Sequence, residues 1–213
     1  MAIYLDSALI SEAQTAIEWG WVKGITTNPT LLSKSDQSPE ETLRQLAAIA
    51  PDELFYQLTA STYEGMIAEA ERAYEIIGEK TVLKIPATAI GFQATAHLSR
   101  LMDCSVTAIY SAAQAAIAQE AGAKYAIAYV NRATRLLGDG LALVQSMAKI
   151  LQGTNTQILA ASLKSPDEAA SALQAGADVI TVPLNLLQQM TTHLLSEQTV
   201  VEFNQNGRGI SWE

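Results

Sequence analysis

Eight times along this chain a short apolar run is followed by a longer segment of helical periodicity. The runs fall at 2–6, 23–27, 53–59, 80–86, 104–109, 124–129, 156–162 and 178–182. The helical patterns fall at 8–19, 39–50, 62–77, 89–102, 111–121, 139–152, 166–175 and 184–195. Strand–helix alternation calls for parallel strands joined by right-handed crossovers. Eight such units predict a closed barrel in preference to an open sheet. The expected fold class is therefore α/β, a single (β/α)8 (TIM-type) barrel domain over residues 1–213, with 196–213 as a C-terminal tail. In that tail, Phe203 and Trp212 are expected to pack on a neighbouring subunit or to fold back over the barrel.

Several helix starts and stops have a local cause. Ser38-Pro39-Glu40-Glu41 and Ser165-Pro166-Asp167-Glu168 each supply a capping hydroxyl, a proline at the first helical position and acids in the first turn. Ser61-Thr62-Tyr63-Glu64 fits a capping box. Gly78, Gly122, Gly153 and Gly176 stand where helices should stop.

At 213 residues the chain suits one barrel, and 49% apolar residues suffice for a large core. The net charge of −9 argues against a nucleic-acid or anionic-membrane partner, but a local cluster of donors could still bind a phosphorylated substrate. No apolar run reaches the length of a membrane span, and Met1–Asp6 lacks a basic region followed by a signal core, so a cytoplasmic location is expected. The lone Cys104 reads as core at a strand start. His97 and His193, both expected on helices, are too few to suggest a metal centre, and neither metal nor cofactor is expected.

Lys84 stands out within Thr81-Val82-Leu83-Lys84-Ile85-Pro86, which reads as a buried strand. A lysine buried without a strong counter-charge has a lowered pKa and can attack a carbonyl to form a Schiff base. Alternatively, it sits in a buried ion pair or extends its head to solvent at the strand end.

Barrel enzymes collect their chemistry at the C-terminal ends of the strands. Here Asp6, Asn28 (after Thr26-Thr27), Gln57, Lys84, Thr107, Tyr129 and Ser162 stand at such ends, one per strand. Each has a plainer reading. Asp6 could cap the first helix, Asn28 could be a turn residue before Pro29, and Thr107 could be an ordinary strand residue. Tyr129 could tie its hydroxyl to backbone, and Ser162 could belong to a loop. Gln57 alternates with Phe55 and so should share its face. Seven polar residues at matching places are more economically explained as one cavity than as seven separate core polar groups. Arg132 and Arg135 follow the sixth strand, where a guanidinium suits a bidentate phosphate contact, or simply solvent in a loop.

These segments resemble the small transaldolase family, and within it the fructose-6-phosphate aldolases. The resemblance rests on Ile3–Asp6, Gly24–Pro29, Val82–Pro86, Thr107–Tyr110, Tyr129–Arg132 and Ala160–Lys164, and it runs into the C-terminal tail. It implies an eight-fold barrel, a Schiff base on Lys84, Asp6 and Asn28 in contact with the dihydroxyacetone part of the substrate, and Thr26 among the substrate-binding residues. Thr107 would help place a catalytic water, and Arg132 with Ser162 would hold a phosphate. Transaldolases proper resemble one another in a glutamate at the position of Gln57 and usually a phenylalanine at Tyr129, so this chain reads as the aldolase at both. It departs from the aldolase pattern at Ala133-Thr134 and around Cys104-Ser105.

The expected reaction is reversible cleavage of fructose 6-phosphate to dihydroxyacetone and glyceraldehyde 3-phosphate, with Tyr129, as a phenolate or through a held water, serving as base. The resemblance also implies a homo-oligomer, a pentamer or decamer. A transaldolase passing the three-carbon unit to another sugar phosphate, and a non-catalytic sugar-phosphate-binding barrel, remain alternatives.

Overall fold

The computed structural model describes residues 1–210. Its strands are β1 (Ala2–Asp6), β2 (Gly24–Thr26), β3 (Glu53–Gln57), β4 (Thr81–Pro86), β5 (Asp103–Ile109), β6 (Tyr125–Tyr129), β7 (Gln157–Ala161) and β8 (Val179–Val182). They are all parallel and close in sequence order into a barrel, β8 pairing with β1. The helices are α1 (Ile10–Glu18), α2 (Pro29–Leu32), α3 (Pro39–Ile49), α4 (Tyr63–Ile77), α5 (Ala89–Leu98), α6 (Ala112–Glu120), α7 (Val130–Leu137), α8 (Gly140–Leu151), α9 (Pro166–Gln174), α10 (Leu184–Met190) and α11 (Leu194–Asn206). The predicted (β/α)8 barrel is the observed one.

Alternation along each strand divides the core in two. Leu5, Ile25, Leu54, Val106, Ala126, Ile158 and Ile180 face outward and pack with helix residues such as Leu46, Val144 and Leu187. Tyr4, Phe55, Val82, Tyr125, Ile127, Leu159 and Val179 fill the interior, as in a barrel packed with layers of side chains. The Phe55 ring lies 5.6 Å from Tyr4 and 5.3 Å from Tyr125, centroid to centroid. At the N-terminal end of the strands, the Tyr4 and Tyr125 hydroxyls donate to Glu53 at 2.5 and 2.9 Å, and Lys124 closes the group with an ion pair to Glu53 at 2.7 Å. Burial and the Glu53 carboxylate push the Tyr125 phenol up to about 12, so both donors keep their protons. Cys104 is buried in the outer core, as expected.

Ser38 and Ser165 cap α3 and α9 as read from the sequence. The glycine stops hold too: Gly78, Gly122, Gly153 and Gly176 take φ between 79° and 110°. The cap of α4 differs. Thr62, not Ser61, accepts the Gly65 N–H, so the capping box does not form. The stretch expected as one helix over 184–195 is two, because His193 leaves helical geometry and its Nδ1 accepts the Leu195 N–H at the start of α11. His193 is thus a cap, whereas His97 is on α5 as expected. Phe203 on α11 is exposed, so it does not fold back over the barrel. Trp212 lies outside the described residues. Among those described, no helix is long and apolar enough to cross a membrane.

Two short helices were not anticipated, and both border the C-terminal mouth. Asn28 caps α2, and α7 begins at Val130, directly after β6, so Arg132 and Arg135 are helical and not in a loop. Gly140 lets α7 and α8 meet closely, since a Cβ there would sit 2.1 Å from the Val130 carbonyl oxygen. A bulge at Ala108, φ 59°, turns Ile109 outward into the helix layer and leaves Thr107 as the last interior residue of β5.

Candidate active site

Lys84 is 3% exposed on β4, beside Gln57 of β3 across the ladder. Its Nζ donates to the Thr27 carbonyl oxygen at 2.8 Å. Thr27 is held in turn by its own hydroxyl, which donates to the Phe55 carbonyl at 2.7 Å. Among the described residues Lys84 has no ion-pair partner, so neither the buried-pair nor the solvent-reaching reading applies. Burial drives the amine pKa below the ordinary lysine value, and the Asp6 charge offsets this only in part.

Asp6 ends β1 and does not cap the first helix, where Leu9 occupies the cap position without a side-chain bond. Its Oδ1 accepts the Thr26 hydroxyl proton at 2.8 Å. The Thr26 oxygen lies 2.6 Å from that of Thr181. With the Thr26 proton spent on Asp6, Thr181 must be the donor, so protons point from β8 through β2 to β1.

Asn28 serves both readings. Its Oδ1 caps α2 by accepting the Leu31 N–H at 3.0 Å, which leaves its amide N–H groups to offer. The Gln57 Oε1 is buried and has no hydrogen-bond partner among the described residues. The Tyr129 hydroxyl accepts from Thr107 at 3.0 Å and is therefore tied to a side chain and not to backbone. Burial raises the Tyr129 pKa and the Asp6 charge adds to this; the Thr107 bond and the Arg132 charge pull the other way without prevailing. The phenol thus stays protonated near neutral pH, which counts against the expected phenolate. Arg132 lies over the Tyr129 ring at 5.2 Å, a cation–π contact. Ser162 follows β7 in a left-handed conformation, φ 63°, uncommon outside glycine and asparagine.

A cavity of about 400 Å³ is lined by Asp6, Asn28, Gln57, Lys84, Tyr129, Arg132 and Ser162, together with Lys164 and Pro29–Leu31 of α2. Thr26 and Thr107 stand behind Asp6 and Tyr129 and orient them without forming the wall. Arg135 points to solvent and lies outside it. Two contributors escaped the sequence reading. Thr181 looks like an ordinary β-former in an apolar strand, although it supplies the polar residue of the eighth strand. Lys164 was visible only as a residue near Ser162. Among the described residues, no group of three or more His, Cys, Asp and Glu side chains could hold a metal ion.

The arrangement offers a desolvated amine, one carboxylate, neutral hydrogen-bonding groups and two cations at one side, which suits an anionic carbonyl compound. Comparison with known proteins agrees with this. Residues 3–209 match the model of the transaldolase/fructose-6-phosphate aldolase family. A probable transaldolase of Caldicellulosiruptor saccharolyticus is 35% identical over 95% of both chains. One of Thermoplasma acidophilum is 32% identical over 99% of this chain and 97% of its own. Solved structures supply the fold alone. A mandelate oxidase with (S)-2-phenylpropionate superposes with TM-score 0.61 at 16% identity, covering 92% of this chain, which spans 64% of that one. Inosine 5′-monophosphate dehydrogenase of Legionella pneumophila gives 0.62 at 14% identity, covering 87% of this chain and 58% of its own. With the family model matched over nearly its whole length and relatives above 30% identity, this chain belongs to the transaldolase/fructose-6-phosphate aldolase family.

Proposed function

We propose that this protein is a Schiff-base aldolase that cleaves fructose 6-phosphate reversibly to dihydroxyacetone and glyceraldehyde 3-phosphate. The observation that carries the reading is Lys84, buried without an ion-pair partner among the described residues at the wall of a cavity that also presents Arg132 and Lys164. Its neutral amine attacks the C2 ketone, and loss of water gives an iminium. The C4 hydroxyl loses its proton, the C3–C4 bond breaks, and its electron pair delocalises as the enamine. The departing aldehyde keeps the phosphate. Protonation at C3 and hydrolysis then release dihydroxyacetone and free the amine.

The C4 proton needs an acceptor. Gln57 is a neutral amide, and Tyr129 keeps its phenolic proton. The assigned route is a water held by Tyr129, with Asp6, the carboxylate in the cavity wall, as the final acceptor. Thr107 donates to the Tyr129 oxygen, so the phenol's own proton is free to hold that water. The orphan Gln57 oxygen suits a substrate hydroxyl. Arg132, Lys164 and Ser162 suit the phosphate.

A second reading keeps the same lysine and passes the enamine to an aldose. It is favoured by the relatives, whose names read probable transaldolase. The non-catalytic barrel gives no reason to bury an unpaired lysine. Two measurements decide. Borohydride trapping with fructose 6-phosphate should add a three-carbon unit to Lys84; no adduct would leave only the binder. Free dihydroxyacetone formed without erythrose 4-phosphate supports the aldolase, whereas sedoheptulose 7-phosphate formed only in its presence supports the transaldolase.

A further inference from the structure

One carboxylate ties together the two elements that carry the cations of the cavity. Glu168 is the third residue of α9, and its backbone N–H is received by the cap Ser165 at 3.1 Å. In an ordinary capping box its carboxylate would return to the N–H of the cap residue itself. Here Oε2 reaches one residue further and accepts the Lys164 N–H at 2.7 Å. The other oxygen, Oε1, crosses to α7 and accepts from Asn131 Nδ2 at 3.1 Å. Asn131 immediately precedes Arg132, and Lys164 is two residues past the left-handed Ser162.

We infer that Glu168 is a positioning residue for phosphate recognition. Through Asn131 and the Lys164 backbone it sets the distance between Arg132 and the Ser162–Lys164 loop. This rests on the proposed phosphate reading. Arg132 and Lys164 are both exposed on a short helix and a loop, where long side chains lose entropy on ordering. Groups aimed at one tetrahedral anion must keep their spacing to within about 0.5 Å to act together. Glu168 does not line the cavity, and its oxygens are engaged by neutral donors. Its effect on the anion therefore passes through geometry. A carboxylate that merely supported α9 would leave the preference for phosphorylated over unphosphorylated substrate untouched.

The test is KM and kcat for dihydroxyacetone addition to glyceraldehyde 3-phosphate and to plain glyceraldehyde. Asn131→Ala removes only the cross-link and leaves the Lys164–Glu168 and Ser165 bonds intact. It should raise KM for the phosphorylated aldehyde about tenfold, the scale of one charge-assisted hydrogen bond. KM for glyceraldehyde should stay within about twofold, as for a neutral surface change. Asn131→Asp sets two carboxylates face to face and should show the same selective loss. The double variant N131D/E168Q reverses the polarity: the new amide donates to the new carboxylate and its oxygen keeps the Lys164 N–H. It should recover most of the loss although the carboxylate now sits at position 131, next to Arg132.

Equal losses on both aldehydes in Asn131→Ala, or no recovery in the double variant, would overturn the inference. Arg132→Ala serves as the reference. If it discriminates between the aldehydes and Asn131→Ala does not, only the bridge is wrong. If Arg132→Ala also fails to discriminate, the phosphate reading falls and the inference with it.

Discussion

The Lys84 amine lies 2.8 Å from the carbonyl oxygen of Thr27, an acceptor that carries no charge. Such an acceptor takes a hydrogen bond from either form of lysine, so it orients the amine without favouring the ammonium as a carboxylate would. Lys84→Met keeps the stem and should abolish turnover and borohydride trapping. A folded variant with near-normal activity would end the Schiff-base proposal. The buried amine destabilises the fold fully below its own lowered pKa, and this cost fades as pH rises through the unfolded lysine value. Lys84→Met should therefore melt above the parent at neutral pH, by about 2–4 °C for each kcal/mol recovered, with the gap narrowing in alkali.

Asp6 is the charge that supports the Lys84 ammonium. Removing it should lower the Lys84 pKa further. In Asp6→Asn the pH midpoint of adduct trapping should move down, while cleavage after the adduct slows. An unchanged midpoint would show that the two groups are not coupled.

Tyr129 holds the water in the proposed proton route. Tyr129→Phe should slow cleavage of fructose 6-phosphate by about two to four orders of magnitude, the range of an acid–base group. Combining it with Gln57→Glu restores a carboxylate beside the water and should shift products from dihydroxyacetone toward sedoheptulose 7-phosphate when erythrose 4-phosphate is supplied. If Tyr129→Phe cleaves as fast as the parent, the transaldolase reading becomes the better one.

Thr181 donates to Thr26, which donates to Asp6. Thr181→Val keeps the shape and removes the donor to the Thr26 oxygen, which weakens the hydrogen bond that Thr26 gives Asp6. A loss in kcat of about threefold to tenfold is expected, matching one neutral hydrogen bond, and Thr181→Ser should restore it. Failure of the serine to rescue would mean that packing, and not the hydroxyl, matters.

Glu69 clamps the chain just after β3. It accepts the N–H groups of Thr59 and Ala60 and the hydroxyls of Thr59 and Tyr56. Burial pushes its pKa up, but the bonds from Ala60, Tyr56 and Thr59 outweigh this and hold it below the usual glutamate value. The stabilisation is thus present above the unfolded glutamate pKa and lost as pH falls through the lower folded one. Glu69→Gln should melt lower than the parent at pH 7 by about 2–4 °C, roughly 1 kcal/mol after solvent screening. The two should converge in strong acid, and parallel melting curves across pH would refute the clamp.

The barrel was legible because its strands are continuous apolar runs and its helices carry caps that depend on neighbours in sequence, such as Ser38 and Ser165. Lys84 and Gln57 were legible because a buried strand has no other use for them. What escaped depends on partners distant in sequence. Thr181 acquires its meaning only when β8 closes against β1 and brings it beside Thr26. Glu168 reads as a first-turn acid until α7, 37 residues away at Asn131, comes within reach. The helices α2 and α7 are too short to show periodicity, so Arg132 was legible as a residue close after the sixth strand but not as part of a helix.

The aromatic and acidic packing of Tyr4, Phe55, Tyr125 and Glu53 makes the barrel blind at one end. Traffic must then use a single doorway. In the proposed reaction, the phosphorylated aldehyde released by carbon–carbon cleavage would occupy the way by which any second reactant reaches the enamine. On that proposal it has to depart first, while the enamine bound to Lys84 waits behind it. The kinetic consequence is ping-pong order: with an aldose acceptor, reciprocal plots at different acceptor concentrations should run parallel, and the released aldehyde should compete with that acceptor for the vacated space.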